Sequence, residues 1–347
     1  MSSLLKFKNA MTKRRALAAL ATAGVASLVL AGCASNSDNG GDTTPSNDSA
    51  AGITVAVMGG ATDDPFWSTV KNGGEAAALA VKAAGGEVQF LPMPNYDDFN
   101  NDAAKIVQNI LALKPSAAVI PDWVPEAQND GIKAITDAGI PVFIYNTGID
   151  QVEATGAQAY IGSDDYQSGV LAGETFVADG AKHVMCVNTL PGTTNADARC
   201  QGVADGAKGA QYTELKLPAS NFGDPTAVAQ AIKGALIEDP TVDAMMTAGQ
   251  ADANSAASGI DQAGMTGKVL LGGQNFDAEG LKRIEDGTQA FAIDQQGYAQ
   301  GYYAVSAAFQ LAAYGIQFVP AEFPTGPAVI SKDNIGTAVK GVEYGVR

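Results

Sequence analysis

Residues 53–91, ITVAVMGGATDDPFWSTVKNGGEAAALAVKAAGGEVQFL, decide the fold. The β-branched run from Ile53 to Met58 is apolar on both faces, as a strand covered on both sides requires. Asp64-Pro65 then offers a capping carboxylate followed by proline at the first helical position, where its missing N–H costs nothing. An alanine-rich helical stretch follows and stops at Gly85-Gly86, where a left-handed residue is wanted. Val88–Leu91 opens the next apolar run. Strands of this kind alternating with helices indicate parallel sheets with helices on both faces.

The pattern continues along the chain. Ten strand-like runs, from Ile53–Met58 to Ala290–Ile293, alternate with nine helical stretches, from 65–84 to 297–314. Two sheets of about five strands are favoured over one of ten, because open twisted sheets seldom grow so wide and a single core stops growing near this length. The join is expected in the polar, glycine-containing stretch Asn146–Gln158. The predicted fold class is α/β, with two Rossmann-like lobes, each a parallel sheet flanked by helices.

The start of the chain reads as a processing signal. Lys13-Arg14-Arg15, an apolar stretch from Ala16 to Leu30, and then Leu30-Ala31-Gly32-Cys33 have the anatomy of a secretory signal. The last four residues resemble a bacterial lipobox, in which the Cys33 thiol receives diacylglycerol. A transmembrane helix and a signal cut elsewhere are the alternatives; the apolar run is short and rich in alanine, which disfavours a span. Residues 34–51 are Ser, Asn, Asp, Gly, Thr, Pro and Ala, too polar to bury a core, and are expected to be a flexible tether. The expected division is 1–32 as signal peptide, 33–51 as tether, 53–155 with 296–322 as the N-terminal lobe, and 156–295 with 323–347 as the C-terminal lobe. The location that follows is outside the cell membrane, anchored through Cys33, on the periplasmic side where an outer membrane exists.

Composition narrows the partners. The 347 residues carry a net charge of −16. The first 32 hold five basic residues and no acidic one, so the remainder has 16 basic against 37 acidic residues, a net of −21. Such a surface repels nucleic acid and anionic headgroups. Of the three cysteines, Cys186 and Cys200 remain after Cys33. They are placed to form a disulfide in an oxidising compartment, or to stay as two buried thiols. A zinc site is not expected, with no Cys-x-x-Cys and one histidine, His183.

Catalytic signatures are missing. Gly59-Gly60-Ala61-Thr62 lacks the spacing of a pyrophosphate loop, and there is no Gly-x-Ser-x-Gly elbow. The acidic pairs Asp63-Asp64, Asp97-Asp98 and Asp164-Asp165 all stand at helix starts, where the dipole accounts for them. The expectation is a binder without cofactor or metal, and an exported sugar-modifying enzyme is the rival of a different class.

In open α/β sheets the ligand sits beyond the carboxyl ends of the strands. The residues standing there include both tryptophans, several amides and carboxylates, and one arginine. The candidate contacts are Asp64, Phe66, Trp67, Asp122, Asn146, Arg199, Gln250, Asp252, Asn275 and Gln295. Flat sugar faces stack on aromatic rings while amides and ions satisfy hydroxyls, so this mixture suits a neutral polyhydroxylated ligand. Capping or hinge duties are the alternative for Asp122 and Asp252, and core packing for Phe66.

Several segments carry a family likeness. They are Asp64-Pro65-Phe66-Trp67, Ala138-Gly139-Ile140-Pro141-Val142, Ile161-Gly162-Ser163-Asp164-Asp165, Pro191-Gly192-Thr193-Thr194 with Arg199-Cys200-Gln201-Gly202, and Ala292-Ile293-Asp294-Gln295-Gln296. In this order, from Ile53 to about Gly315, they resemble the sugar-binding proteins of bacterial ABC importers with the type I periplasmic-binding fold, of the ribose-binding-protein type. The resemblance implies a hinge of three segments, near Gly148–Gln158, Asp294–Gly297 and Phe318–Pro327. It also implies that Phe66 and Trp67 sandwich the sugar, that Arg199 reaches it from the second lobe, and that Gln295 stands at the crossover. Phe222 is one position from the family's second-lobe aromatic. Asn146-Thr147 and Gln274-Asn275 replace an Asp-Arg pair and an aromatic-Asp pair, which argues against ribose itself. The implied protein is a monomer that closes on a monosaccharide or polyol and docks on an ABC permease with its ATPase. A receptor for a sugar-like autoinducer or a nucleoside, feeding a membrane sensor, is the alternative.

Overall fold

The computed structural model describes residues 50–347, except the side chains of Ala219 and Gln250. Cys33, the signal segment and most of the tether lie outside the described residues. No helix within them is long and apolar enough to cross a membrane.

The chain alternates strand and helix almost throughout. It begins β1 (Thr54–Gly59), α1 (Pro65–Ala83), β2 (Glu87–Pro92), α2 (Phe99–Leu113), β3 (Ala117–Ile120) and α3 (Pro125–Asp137). It continues β4 (Val142–Asn146), α4 (Val152–Thr155), β5 (Ala159–Ser163), α5 (Asp165–Ala178), β6 (His183–Asn188) and α6 (Thr194–Gly206). Next come β7 (Gln211–Lys216), α7 (Pro225–Glu238), β8 (Ala244–Thr247), α8 (Gln250–Gln262), β9 (Leu270–Gln274) and α9 (Ala278–Asp286). The last elements are β10 (Phe291–Asp294), α10 (Gly297–Tyr314), β11 (Glu322–Gly326), β12 (Ala328–Ser331) and α11 (Ile335–Glu343).

Two six-stranded sheets result, in the orders β11-β5-β4-β3-β1-β2 and β12-β10-β9-β8-β6-β7. Pairing is parallel except between β10 and β12. Every residue of the inner strands β3, β4, β8 and β10 is buried, because helices cover both faces. The two-sheet α/β prediction therefore holds, but the division between lobes does not. β5 pairs with β4 in the first sheet, so the chain leaves that lobe after Ser163 and not at 156. Phe323–Gly326 likewise pairs beside β5, so the last crossing comes at Gly326–Ala328 and not after residue 322. Pairing partners far apart in the chain override a polar stretch as the boundary. The three crossings are Ser163–Asp165, Asp294–Gly297 and Gly326–Ala328.

Glycines let the main helix pair of each lobe touch backbone to backbone. In the first lobe, a Cβ on Gly73 would stand 1.9 Å from the Tyr298 carbonyl oxygen, joining α1 to α10. In the second, a Cβ on Gly202 would stand 2.1 Å from the Tyr166 carbonyl oxygen, joining α6 to α5. A disulfide links Cys186 in β6 to Cys200 in α6, Cα atoms 5.6 Å apart. It pins α6 to the second-lobe core.

Gly202→Ala is expected to force α5 and α6 apart. Overpacking of this kind costs about 1–3 kcal/mol, read as a lower urea midpoint with an unchanged slope; a midpoint equal to wild type would refute the contact.

Candidate functional site

The strand ends of both sheets meet across a cleft. A cavity lies between them, enclosing about 750 Å³ when the open solvent at its mouth is counted.

The first lobe supplies aromatic rings. Trp67, at the start of α1, makes edge-to-face contacts with Phe66 (5.5 Å between centroids), Trp123 (5.4 Å) and Tyr145 (6.0 Å). Phe99 continues the wall from Trp123 at 5.3 Å, and Tyr96 follows at 5.9 Å. Trp67 lies directly on Gly60, where a Cβ would sit 2.1 Å from the indole Cδ1. Only glycine lets the ring down onto the β1 tip. Asp64 caps α1, its Oδ1 accepting from the Phe66 and Trp67 N–H groups and its Oδ2 from the Tyr96 hydroxyl at 2.9 Å. Burial raises its pKa despite these bonds.

The second lobe supplies polar groups. Arg199, in the first half of α6, is 5 % exposed. Its guanidinium donates to Asp165 Oδ1 at 2.9 and 2.6 Å, to the Ala248 carbonyl at 2.7 Å and to Gln295 Oε1 at 3.1 Å. Burial raises the pKa of Asp165 in spite of that cation. Asp252, in the first turn of α8, accepts from the Thr189 hydroxyl at 2.7 Å; burial first, then the charge of Asp64, pushes it up to about 6. Asn146 and Asn275 end β4 and follow β9, and both are left-handed, at φ 68° and 57°. Asparagine tolerates that region better than other non-glycine residues. Asn146 Nδ2 donates to Gln300 Oε1 at 3.1 Å, and Asn275 Oδ1 accepts from the Gln295 N–H at 3.3 Å.

Of the residues singled out from sequence, the cavity wall contains Asp64, Phe66, Trp67, Asn146, Arg199, Asp252, Asn275 and Gln295. Gln250 opens α8, and its side chain lies outside the described part of the structure. Asp122 does not reach the cavity. Its N–H donates to the Thr147 carbonyl, its Cβ lies against Gly148 and its carboxylate oxygens are buried, while Trp123 takes the wall. The sequence reading did not select Tyr96, Phe99, Thr189, Leu190 or Ala251. Tyr96 and Phe99 follow β2, an edge strand of the first sheet; the turn-forming Pro92–Asn95 before Tyr96 is the sequence signal that marks this tip. Phe222 lines the cavity after the other edge strand, β7. Among the described residues no group of three or more His, Cys, Asp or Glu side chains could hold a metal ion.

Comparison with known proteins agrees with this geometry. The family model of the periplasmic binding protein domain matches residues 55–316. The chain is similar to the xylose/arabinose-binding protein of Sulfolobus acidocaldarius, at 24 % identity over 94 % of this chain and 88 % of the relative. It is similar to the ribose import binding protein of Haemophilus influenzae, at 26 % identity over 83 % of this chain and 94 % of the relative. A solved carbohydrate transporter from Acidothermus cellulolyticus in complex with myo-inositol superposes with a TM-score of 0.77, at 30 % identity over 85 % of this chain and 99 % of that one. The chain belongs to the periplasmic binding protein domain family, which is not an enzymatic one.

Asp122 sets a pH dependence of stability. Neither of its buried oxygens has a hydrogen-bond partner among the described residues, and burial pushes its pKa up to about 7 from the usual 3.8. Between those values the folded chain holds a proton that the unfolded chain has lost, so this group's contribution weakens the fold as pH rises from about 4 to about 7. The loss is roughly 1.4 kcal/mol per pH unit. Asp122→Asn is expected to exceed wild type in urea midpoint at pH 8 by more than it does at pH 4; an offset independent of pH would contradict the assignment.

Proposed function

We propose that this periplasmic binding protein family member is the solute-binding component of an ABC importer and takes a neutral monosaccharide or related polyol. The observation that carries the reading is one cavity with an aromatic wall from the first lobe and amides, carboxylates and a single arginine reaching it from both lobes. Stacking rings beside paired donors and acceptors suit the two faces of a sugar: apolar C–H surface and a rim of hydroxyls. The pentose-binding relatives and the inositol-bound neighbour support the same class.

The mechanism follows from the crossings. Contacts made by both lobes to one ligand exist only when the cleft is shut, so the ligand shifts the population toward closure. Rotation about the three crossings brings Trp67 and Asp64 toward Asp252 and Asn275. The closed monomer then presents one fixed surface to a membrane permease. Cys33, as the lipidated first residue of the mature chain, holds the protein at the outer face of the membrane, with 34–51 as the tether.

A panel of pentoses, hexoses and inositols is expected to raise the melting temperature for one class and to change tryptophan fluorescence saturably, since ligand binding stabilises the native state. Folded Trp67→Ala should lose about 2 kcal/mol of affinity, roughly thirtyfold in Kd. No response to any sugar, or full affinity in Trp67→Ala, would reject the stacking site. For the anchor, cells fed radiolabelled palmitate should label the wild-type chain and leave Cys33→Ala unlabelled and released; label retained on Cys33→Ala would remove Cys33 from that role.

A further inference from the structure

Beside this cavity lies a second hollow, open to solvent on one side, that encloses about 790 Å³ with that open solvent counted. The two share one wall, made of Asp64, Tyr96, Phe222, Ala251 and Asp252. Across that wall the rings of Tyr96 and Phe222 meet edge to face, centroids 4.9 Å apart at 61°. Tyr96 comes from the loop after β2 and Phe222 from the loop after β7, so the contact bridges the lobes at equivalent edges of the two sheets.

The two halves differ in rigidity. Tyr96 is fixed to its lobe, its hydroxyl donating to Asp64 Oδ2 at 2.9 Å and accepting from the Ala61 N–H at 3.0 Å. Phe222 is half-buried on a turn completed by Gly223, at φ 81°, and its ring packs against Tyr96. Beyond the pair, Pro65 and Pro225 offer flat apolar surface, and Asp63, Asp224 and Asp252 offer hydroxyl acceptors. That lining has the chemistry a further sugar ring would need, on the far side of a closed aromatic contact.

We propose that the Tyr96–Phe222 pair is a size gate that holds this protein to single-ring ligands by walling off a chamber able to receive a second ring. The proposal rests on the sugar-binding reading above. It assigns Phe222 the task of excluding glycosides when the lobes close, whereas a stacking role would have it grip the bound ring.

Calorimetric titration with D-glucose and cellobiose, D-xylose and xylobiose, and D-galactose and melibiose tests it on the full mature chain. Wild type is expected to bind one monosaccharide at least a hundredfold tighter than its disaccharide. Phe222→Ala should narrow that ratio to tenfold or less, chiefly by gaining disaccharide affinity, and Tyr96→Ala should narrow it too; melting curves and near-UV circular dichroism report that each variant is folded. A wild-type ratio under tenfold overturns the gate. So does a uniform loss in Phe222→Ala that leaves the ratio unchanged, which would make Phe222 a stacking contact and leave the sugar reading standing. Wild type that binds no sugar at all overturns both.

Discussion

A guanidinium cannot be left alone in a protein interior, and the placement of Arg199 follows from that cost. An unpaired buried charge loses several kcal/mol, so each arm of Arg199 is met: by Asp165 at the start of α5, by the Ala248 carbonyl after β8, and by Gln295 in the second crossing. Gln295 passes the constraint on. Its carbonyl accepts from the Thr325 hydroxyl at 2.8 Å and from Gln300 Nε2 at 3.0 Å, and Gln300 in turn accepts from Asn146. One polar network thus runs from the second lobe, through the crossings, to the cavity-facing end of β4. In such a network each bond polarises the next, and deleting one member exposes the others. The floor of the cavity and the joint between the lobes are the same set of atoms.

Above that floor the lobes are built alike and equipped differently. Their sheets have the same strand order once β12 is set against β11. Asn146 and Asn275 stand at the ends of corresponding strands, both left-handed, and Tyr96 and Phe222 follow corresponding edge strands. Yet five of the cavity's rings, Phe66, Trp67, Tyr96, Phe99 and Trp123, come from the first lobe, and its arginine comes from the second. The first lobe offers a flat apolar bed, and the second closes over it with directional partners. Gly60 makes the bed possible by letting Trp67 lie on the chain itself.

Local chemistry was readable in the sequence wherever one segment decides it. Asp64-Pro65 announces the start of α1, and the alternation of apolar runs with helices announces parallel sheets. Eight of ten proposed contacts stand in the wall because the carboxyl ends of strands can be found without knowing strand order. What depends on pairing was hidden. β5 looks like the opening of a new lobe until its hydrogen bonds to β4 are known. β11, with Pro324 and Gly326 inside it, breaks the composition expected of a strand, and its register shifts at those residues. Asp122 and Trp123 are neighbours, and only the tertiary fold says which faces the cavity.

Charge explains what the cavity refuses as well as what it accepts. Arg199, its lone cation, is already committed to Asp165, so it brings little net attraction for an anion. Asp64 and Asp252 face the same space from opposite lobes, each satisfied by local donors and neither in an ion pair among the described residues. A phosphate or carboxylate on the ligand would meet them at close range, where two like charges 4 Å apart repel by about 4 kcal/mol at an effective dielectric near 20. Hydroxyl groups incur no such penalty, because one hydroxyl can donate to a carboxylate and accept from an amide. A preference for uncharged over anionic ligands would therefore need no dedicated contact: it would follow from neutralising the one cation in the cavity wall and leaving two carboxylates there without an ion-pair partner.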